Sequence, residues 1–150
     1  VARIATVTAV VVGALSLVGC SADPDLAPLE SRLAEVPGVN GAFTWVTHSG
    51  APWNTQVQVL LFVDEPTESG LVDAVRGAAP VIADDAAASR HPVGIWFVDG
   101  DRADYADRDS ASADAMAIFP SVFETLGLDG SGGRMITVGP DDIERIASGR

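Results

Sequence analysis

Val57, Val59, Leu61 and Val63 alternate with Gln56, Gln58, Leu60 and Phe62. This period of two predicts a strand over Gln56–Asp64, polar on half of one face and covered on the rest. Val39–His48 reads the same way, with Phe43, Trp45 and Thr47 on one side and Thr44, Val46 and His48 on the other. The seven residues SGAPWNT between them predict an antiparallel hairpin. Val93–Asp99, VGIWFVD, is almost continuously apolar and predicts a central strand. Arg134–Val138 predicts a last strand, and a short edge strand is expected near Arg102–Ala106.

Helical spacing appears elsewhere. Leu29, Leu33 and Val36 share a face, closed by Pro37-Gly38. Leu71, Val72, Val75, Ala79, Ile82 and Ala83 form a stripe entered through Glu65-Pro66-Thr67-Glu68, with Gly77 and Pro80 expected to kink or break it. Ser112 is the expected N-cap of a helix across Ala113–Leu126, kinked at Pro120 and stopped by Gly127. Pro140 opens a C-terminal helix. The order of elements predicts an α+β fold: a small sandwich of a mainly antiparallel sheet with helices on one face.

The first 22 residues break this pattern. Arg3 is their only charge, and Ile4–Gly19 contains no charged residue and no proline. Sixteen helical residues span about 24 Å, short of the ~30 Å hydrocarbon core. A charged start, a short apolar stretch and a small residue before a break fit a signal peptide better than a membrane span. The stretch ends Leu17-Val18-Gly19-Cys20, which resembles the lipobox of bacterial prolipoproteins. The resemblance implies a diacylglyceryl group on the Cys20 thiol and cleavage between Gly19 and Cys20. It covers about the first twenty residues, and the single arginine makes a thin n-region. Without the resemblance, the segment reads as an uncleaved anchor ending in an ordinary small cysteine. Both readings place the domain outside the cytoplasm.

The resulting organisation is a removed segment over 1–19, a lipidated cysteine and proline-bearing tether over 20–28, and one domain over 29–150. The chain carries 9 Lys+Arg against 21 Asp+Glu and a formal net charge of -12. All nine basic residues are arginine; with abundant Ala, Val, Gly and Asp, this looks like the coding bias of a GC-rich genome of actinobacterial type, and Val1 fits a GTG start. Such a charge without a basic patch weighs against nucleic-acid binding. An acidic protein also gains nothing from an anionic leaflet, so attachment has to come from acyl chains, two of which hold stably where one does not. The single cysteine excludes an internal disulfide and any multi-cysteine metal site.

Candidate chemistry is sparse. Asp99, Asp101, Asp104, Asp107 and Asp109 crowd an acidic stretch, and calcium takes six to eight oxygens. The register is wrong for an EF-hand, however, and Arg102 and Arg108 compete for the carboxylates. His48 and His91 each adjoin a strand end, where a neighbouring aspartate would make a general base. The chain contains no G-x-S-x-G, H-E-x-x-H or C-x-x-C. GLDGSGG over 127–133 has the glycines of a phosphate loop without GK[ST], and a strand follows it where a helix is needed. Trp45 and Trp96 fall in strands and are expected in the core. Trp53 falls in a Gly/Pro loop, where an exposed aromatic is a recognition anchor.

Together these readings predict a lipid-anchored protein on the extracytoplasmic face of a cell membrane. Its domain is expected to be a non-enzymatic binding or assembly module for a protein or other envelope partner. No cofactor is called for. Two alternatives stay open: an extracytoplasmic hydrolase or other enzyme using His48 or His91, and a calcium-dependent envelope module using Asp99–Asp109.

Overall fold

The computed structural model describes residues 22–150. The apolar segment, the lipobox and Cys20 therefore lie outside the described residues.

Among the described residues, four strands form one sheet in the order β1-β2-β3-β4: β1 Val39–His48, β2 Thr55–Val63, β3 Val93–Asp99 and β4 Ile136–Val138. The β1–β2 and β3–β4 pairs are antiparallel, and β2–β3 is parallel. Parallel neighbours need a crossover rather than a tight turn, and α2, Glu68–Ala83, supplies it. The fold is α+β around a mixed sheet.

Val57, Val59, Leu61 and Val63 of β2 and Val93, Ile95 and Phe97 of β3 all point to one side and are fully or almost fully buried. The helices α1 Ala27–Leu33, α2, α4 Pro120–Leu126 and α5 Pro140–Ala147 pack there. Each contributes an apolar stripe: Leu29 and Leu33, then Leu71, Val75 and Ile82, then Val122 and Phe123, then Ile143 and Ile146. Burial of these side chains, each worth about 1.5–3 kcal/mol against exposure, is what commits the four helices to this face. A smaller cluster of Leu60, Phe62, Val98 and Ala111 lies on the opposite side. The short helix α3, Arg108–Ala113, covers it.

Several local expectations are corrected. The helix expected across Ala113–Leu126 is instead two helices, α3 and α4, joined by an extended segment. In that segment Met116 N–H donates to Phe97 O at 2.8 Å, and Ile118 N–H to Gly133 O at 2.7 Å. These tertiary bonds replace helical ones. Pro120 holds Phe119 extended (φ -65, ψ 134), as the residue before a proline must be. Asp107, rather than Ser112, is the N-cap of α3. The expected edge strand near Arg102–Ala106 is a 3₁₀ turn over Arg102–Asp104, because the Asp101 carboxylate accepts Ala103 N–H at 2.8 Å and curls the chain. The α2 helix runs through Pro80, which is solvent-exposed, so the carbonyl it leaves without a helical donor can be hydrated. The first helix starts and stops earlier than the Leu29–Val36 periodicity predicts, at Ala27 and Leu33.

The segment expected as a free tether is docked from residue 23 onward. It runs beside β1, the outer strand. Leu26 O accepts from Thr44 Oγ1 at 3.2 Å, and Asp23 Oδ1 lies 2.9 Å from His48 Nε2. Glu30 of α1 accepts the outward Thr44 N–H at 2.8 Å. An edge strand with free N–H groups invites pairing with other chains, and this arm covers part of it.

Candidate functional site

The face of the sheet opposite α1, α2, α4 and α5 divides into a half closed by α3 and an open half. At the closed half, Leu60, Phe62 and Val98 are fully buried. The 3₁₀ turn, Tyr105 and α3 form their lid. Phe62 meets Phe43 edge-on at 5.8 Å between ring centroids and Tyr105 at 5.3 Å. The Arg102 guanidinium lies 3.8 Å above the Phe43 ring and donates to Tyr105 O at 2.9 Å, while Asn40 Oδ1 accepts Arg102 N–H at 3.0 Å. Gly41 lies beneath Arg102, where a Cβ would collide with the arginine stem. The lid is thus pinned to β1 by an arginine seated on an aromatic ring.

At the open half, Trp45 and Thr47 of β1, Gln56 of β2 and Trp96 of β3 are all partly exposed. Gln58, only 4% exposed, organises them. Its Nε2 donates to Thr47 Oγ1 at 3.2 Å, and its Oε1 accepts from Trp96 Nε1 at 2.8 Å. One amide therefore ties three adjacent strands together and sets the angle of an indole. Gly94, beside it, leaves the room; a Cβ there would strike the Gln58 amide and the Met135 sulfur. Arg108 of α3 lies 5.0 Å over the Trp45 ring at the border of the lid. The result is a shelf of two half-open indoles with hydroxyl and amide groups between them. It can stack flat or apolar groups and hydrogen-bond their edges.

The predicted site residues are dispersed. The acidic stretch builds the lid: Asp101 curls the 3₁₀ turn, Asp107 accepts Ser110 N–H at 2.8 Å, and Asp109 pairs with Arg108 at 3.0 Å. The Ser110 backbone N–H holds the Asp107 carboxyl below the ordinary aspartate range, aided by the Ser110 side chain. Asp99 ends β3 and Asp104 ends the 3₁₀ turn, both exposed. Asp114 accepts from Tyr105 Oη at 3.1 Å; desolvation, then this bond, pushes the phenol pKa up. Among the described residues, no three His, Cys, Asp or Glu side chains are grouped to hold a metal ion.

His48 ends β1 beside Asp23, and its Nδ1 lies 3.4 Å from Thr55 Oγ1. The order Thr–His–Asp has the connectivity of a relay. It stands on an exposed edge, with the histidine side chain 34% and the aspartate 59% exposed, so water screens the contact. His91 precedes β3 and is partly buried. Trp53 is 86% exposed at the tip of the β1–β2 hairpin. Its loop is ordered by Asn54, whose Nδ2 donates to Ser49 O at 2.7 Å and whose N–H donates to Ala51 O at 2.9 Å.

Trp45 and Trp96, expected in the core, pack against the Leu60–Phe62–Val98 cluster while keeping part of each side chain exposed. Sequence reasoning missed Gln58 as an organiser. The signal was present in Gln56-x-Gln58 interrupting an otherwise apolar strand, but the partners come from two other strands. Away from the shelf, a groove of about 520 Å³ is lined by residues that include Arg76, Thr125, Arg145 and Arg150. Arg145 is already engaged there, donating to Leu126 O at 3.0 Å and to Asp142 at 2.9 Å. No described helix is long and apolar enough to cross a membrane. No family model, curated protein or solved structure matches the chain.

Proposed function

We propose that this chain is a lipoprotein held at the extracytoplasmic face of a cell membrane through Cys20, and that its domain is a binding or assembly module rather than a catalyst. The lipobox Leu17-Val18-Gly19-Cys20 supports the anchor. The open half of the sheet carries the reading of the domain. Its lid seals Leu60, Phe62 and Val98 and reaches Trp45 only through Arg108, leaving Trp45, Trp96, Thr47 and Gln56 partly exposed on the same sheet face. Half-open indoles fixed by a buried amide suit recognition, since aromatic anchors supply contact area with little ordering entropy. The exposed Asp23–His48 pair lacks the desolvation that gives a catalytic dyad its strength.

Two measurements test this. Intact mass of membrane-derived protein, beside Cys20→Ser, should give an N-terminus at Cys20 with added acyl mass that the variant loses. An unmodified chain retaining residues 1–19 refutes the anchor. Photocrosslinkers at Gln56 and Thr137 on the open face, with Glu124 on the helical face as control, should trap one and the same envelope component in intact cells. That adduct should disappear in Trp45→Ala. Equal trapping from Glu124 refutes the assignment of the surface.

A further inference from the structure

The docked arm fixes where the anchor leaves the domain. Leu26 is bonded to Thr44 and Asp23 to His48. The arm therefore runs antiparallel to β1, and going back along the chain it heads toward the β1–β2 hairpin. Only Ser21 and Ala22 separate Asp23 from Cys20, and three Cα–Cα steps reach about 10 Å when extended. The six residues Ser49–Asn54 continue beyond the His48–Thr55 pair in the same direction and hold Trp53 at their tip, 86% exposed.

We infer that the hairpin tip is a membrane-contacting element, with the Trp53 indole seated at the headgroup–acyl boundary beside the lipid anchor. This rests on the lipoprotein reading of Cys20. Tryptophan favours that boundary because its ring is apolar and its N–H is polar. From Val36 to Val63 the chain has no Asp, Glu or Arg, so the tip brings no charge to the surface. The α2–β3 and β4–α5 connections reach the same end of the sheet. They bring Arg90 and His91, but also Asp84, Asp85, Asp141 and Asp142. The end as a whole is therefore not basic, and the contact is apolar and aromatic rather than electrostatic. The occupant is a lipid surface that need not be anionic. The consequence is orientation: the sheet stands on its hairpin end, with the Trp45–Trp96 shelf facing sideways, free to meet a partner.

The test uses the protein as purified from membranes, reconstituted into phosphatidylcholine vesicles with brominated acyl chains, the intact mass of each sample being recorded. Bromine quenches indoles that reach the acyl region. Quenching is expected in the wild type and is expected to be lost in Trp53→Ala, while Trp45 and Trp96 continue to emit. Trp53 makes little contact with the domain, so this variant should fold, which circular dichroism checks. Quenching that persists in Trp53→Ala overturns the inference, because another indole then faces the lipid. Acylated protein without quenching overturns the inference and leaves the anchor standing. An unacylated Cys20 overturns both.

Discussion

Replacing Gln58 separates what its hydrogen bonds contribute from what its bulk contributes. Gln58→Leu keeps most of the volume and removes one acceptor and one donor. Each bond, to Trp96 and to Thr47, contributes about 0.5–1.5 kcal/mol net. Against their loss, the variant no longer buries an amide, worth roughly 0.5–2 kcal/mol on scales where compensation is partial. The two orphaned partners are partly exposed and can bond to water. The balance predicts destabilisation of about 1 kcal/mol or less. Gln58→Ala loses the same bonds and opens a cavity at a site 4% exposed, so it should cost about 2–4 kcal/mol, in the range of large-to-small core changes. Urea unfolding at pH 7 measures both, provided the slope with denaturant is unchanged. Indole emission should also shift in Gln58→Leu, as Trp96 exchanges an amide acceptor for water. Equal losses for Leu and Ala would refute the reasoning. So would a Gln58→Leu protein with unaltered emission, since Gln58 would then not be holding the indole.

Two further outcomes follow from the same geometry. Pro80 lies inside α2 on its exposed side, so Pro80→Ala should restore a helical bond to the Arg76 carbonyl and stabilise the domain by about 1–2 kcal/mol, after allowance for the looser unfolded chain; a urea midpoint that falls contradicts this. Asp107→Ala removes the α3 cap and should lower the melting temperature at pH 7. Because the folded pKa of Asp107 is depressed below 3.8, its contribution is fully present above that value and is lost as the pH falls through the folded pKa. The gap between wild type and variant should therefore close in acid; a gap constant down to the lowest pH at which both fold contradicts the assignment.

The elements readable from the sequence are those whose partners lie within a few residues. The alternation in β2, the apolar run of β3 and the stripe of α2 each show in a single window. The stop at Gly127 is likewise local, since the helix ends there in the left-handed conformation that glycine adopts freely (φ 64). The split between α3 and α4 did not show. Residues 114–119 have helical spacing, but their backbone groups are taken by Phe97 and Gly133, and Arg134 seizes the carbonyls of Ala113 and Ala115 at 2.6 Å. Such partners sit too far along the chain for any local window to register.

The sequence by itself determined the α+β class, the strands at the centre of the sheet and the residues that face the helical layer, because burial periodicity is written into neighbouring positions. The resemblance of Leu17-Val18-Gly19-Cys20 to a lipobox is equally local. Tertiary structure alone decided that β2 and β3 run parallel, that the acidic stretch closes over half of one sheet face, and that Gln58 braces Trp96 against Thr47. It also decided that the arm after Ala22 lies along β1 and points toward the hairpin carrying Trp53. These depend on groups 11 to 62 residues apart, brought together only once the common core has formed.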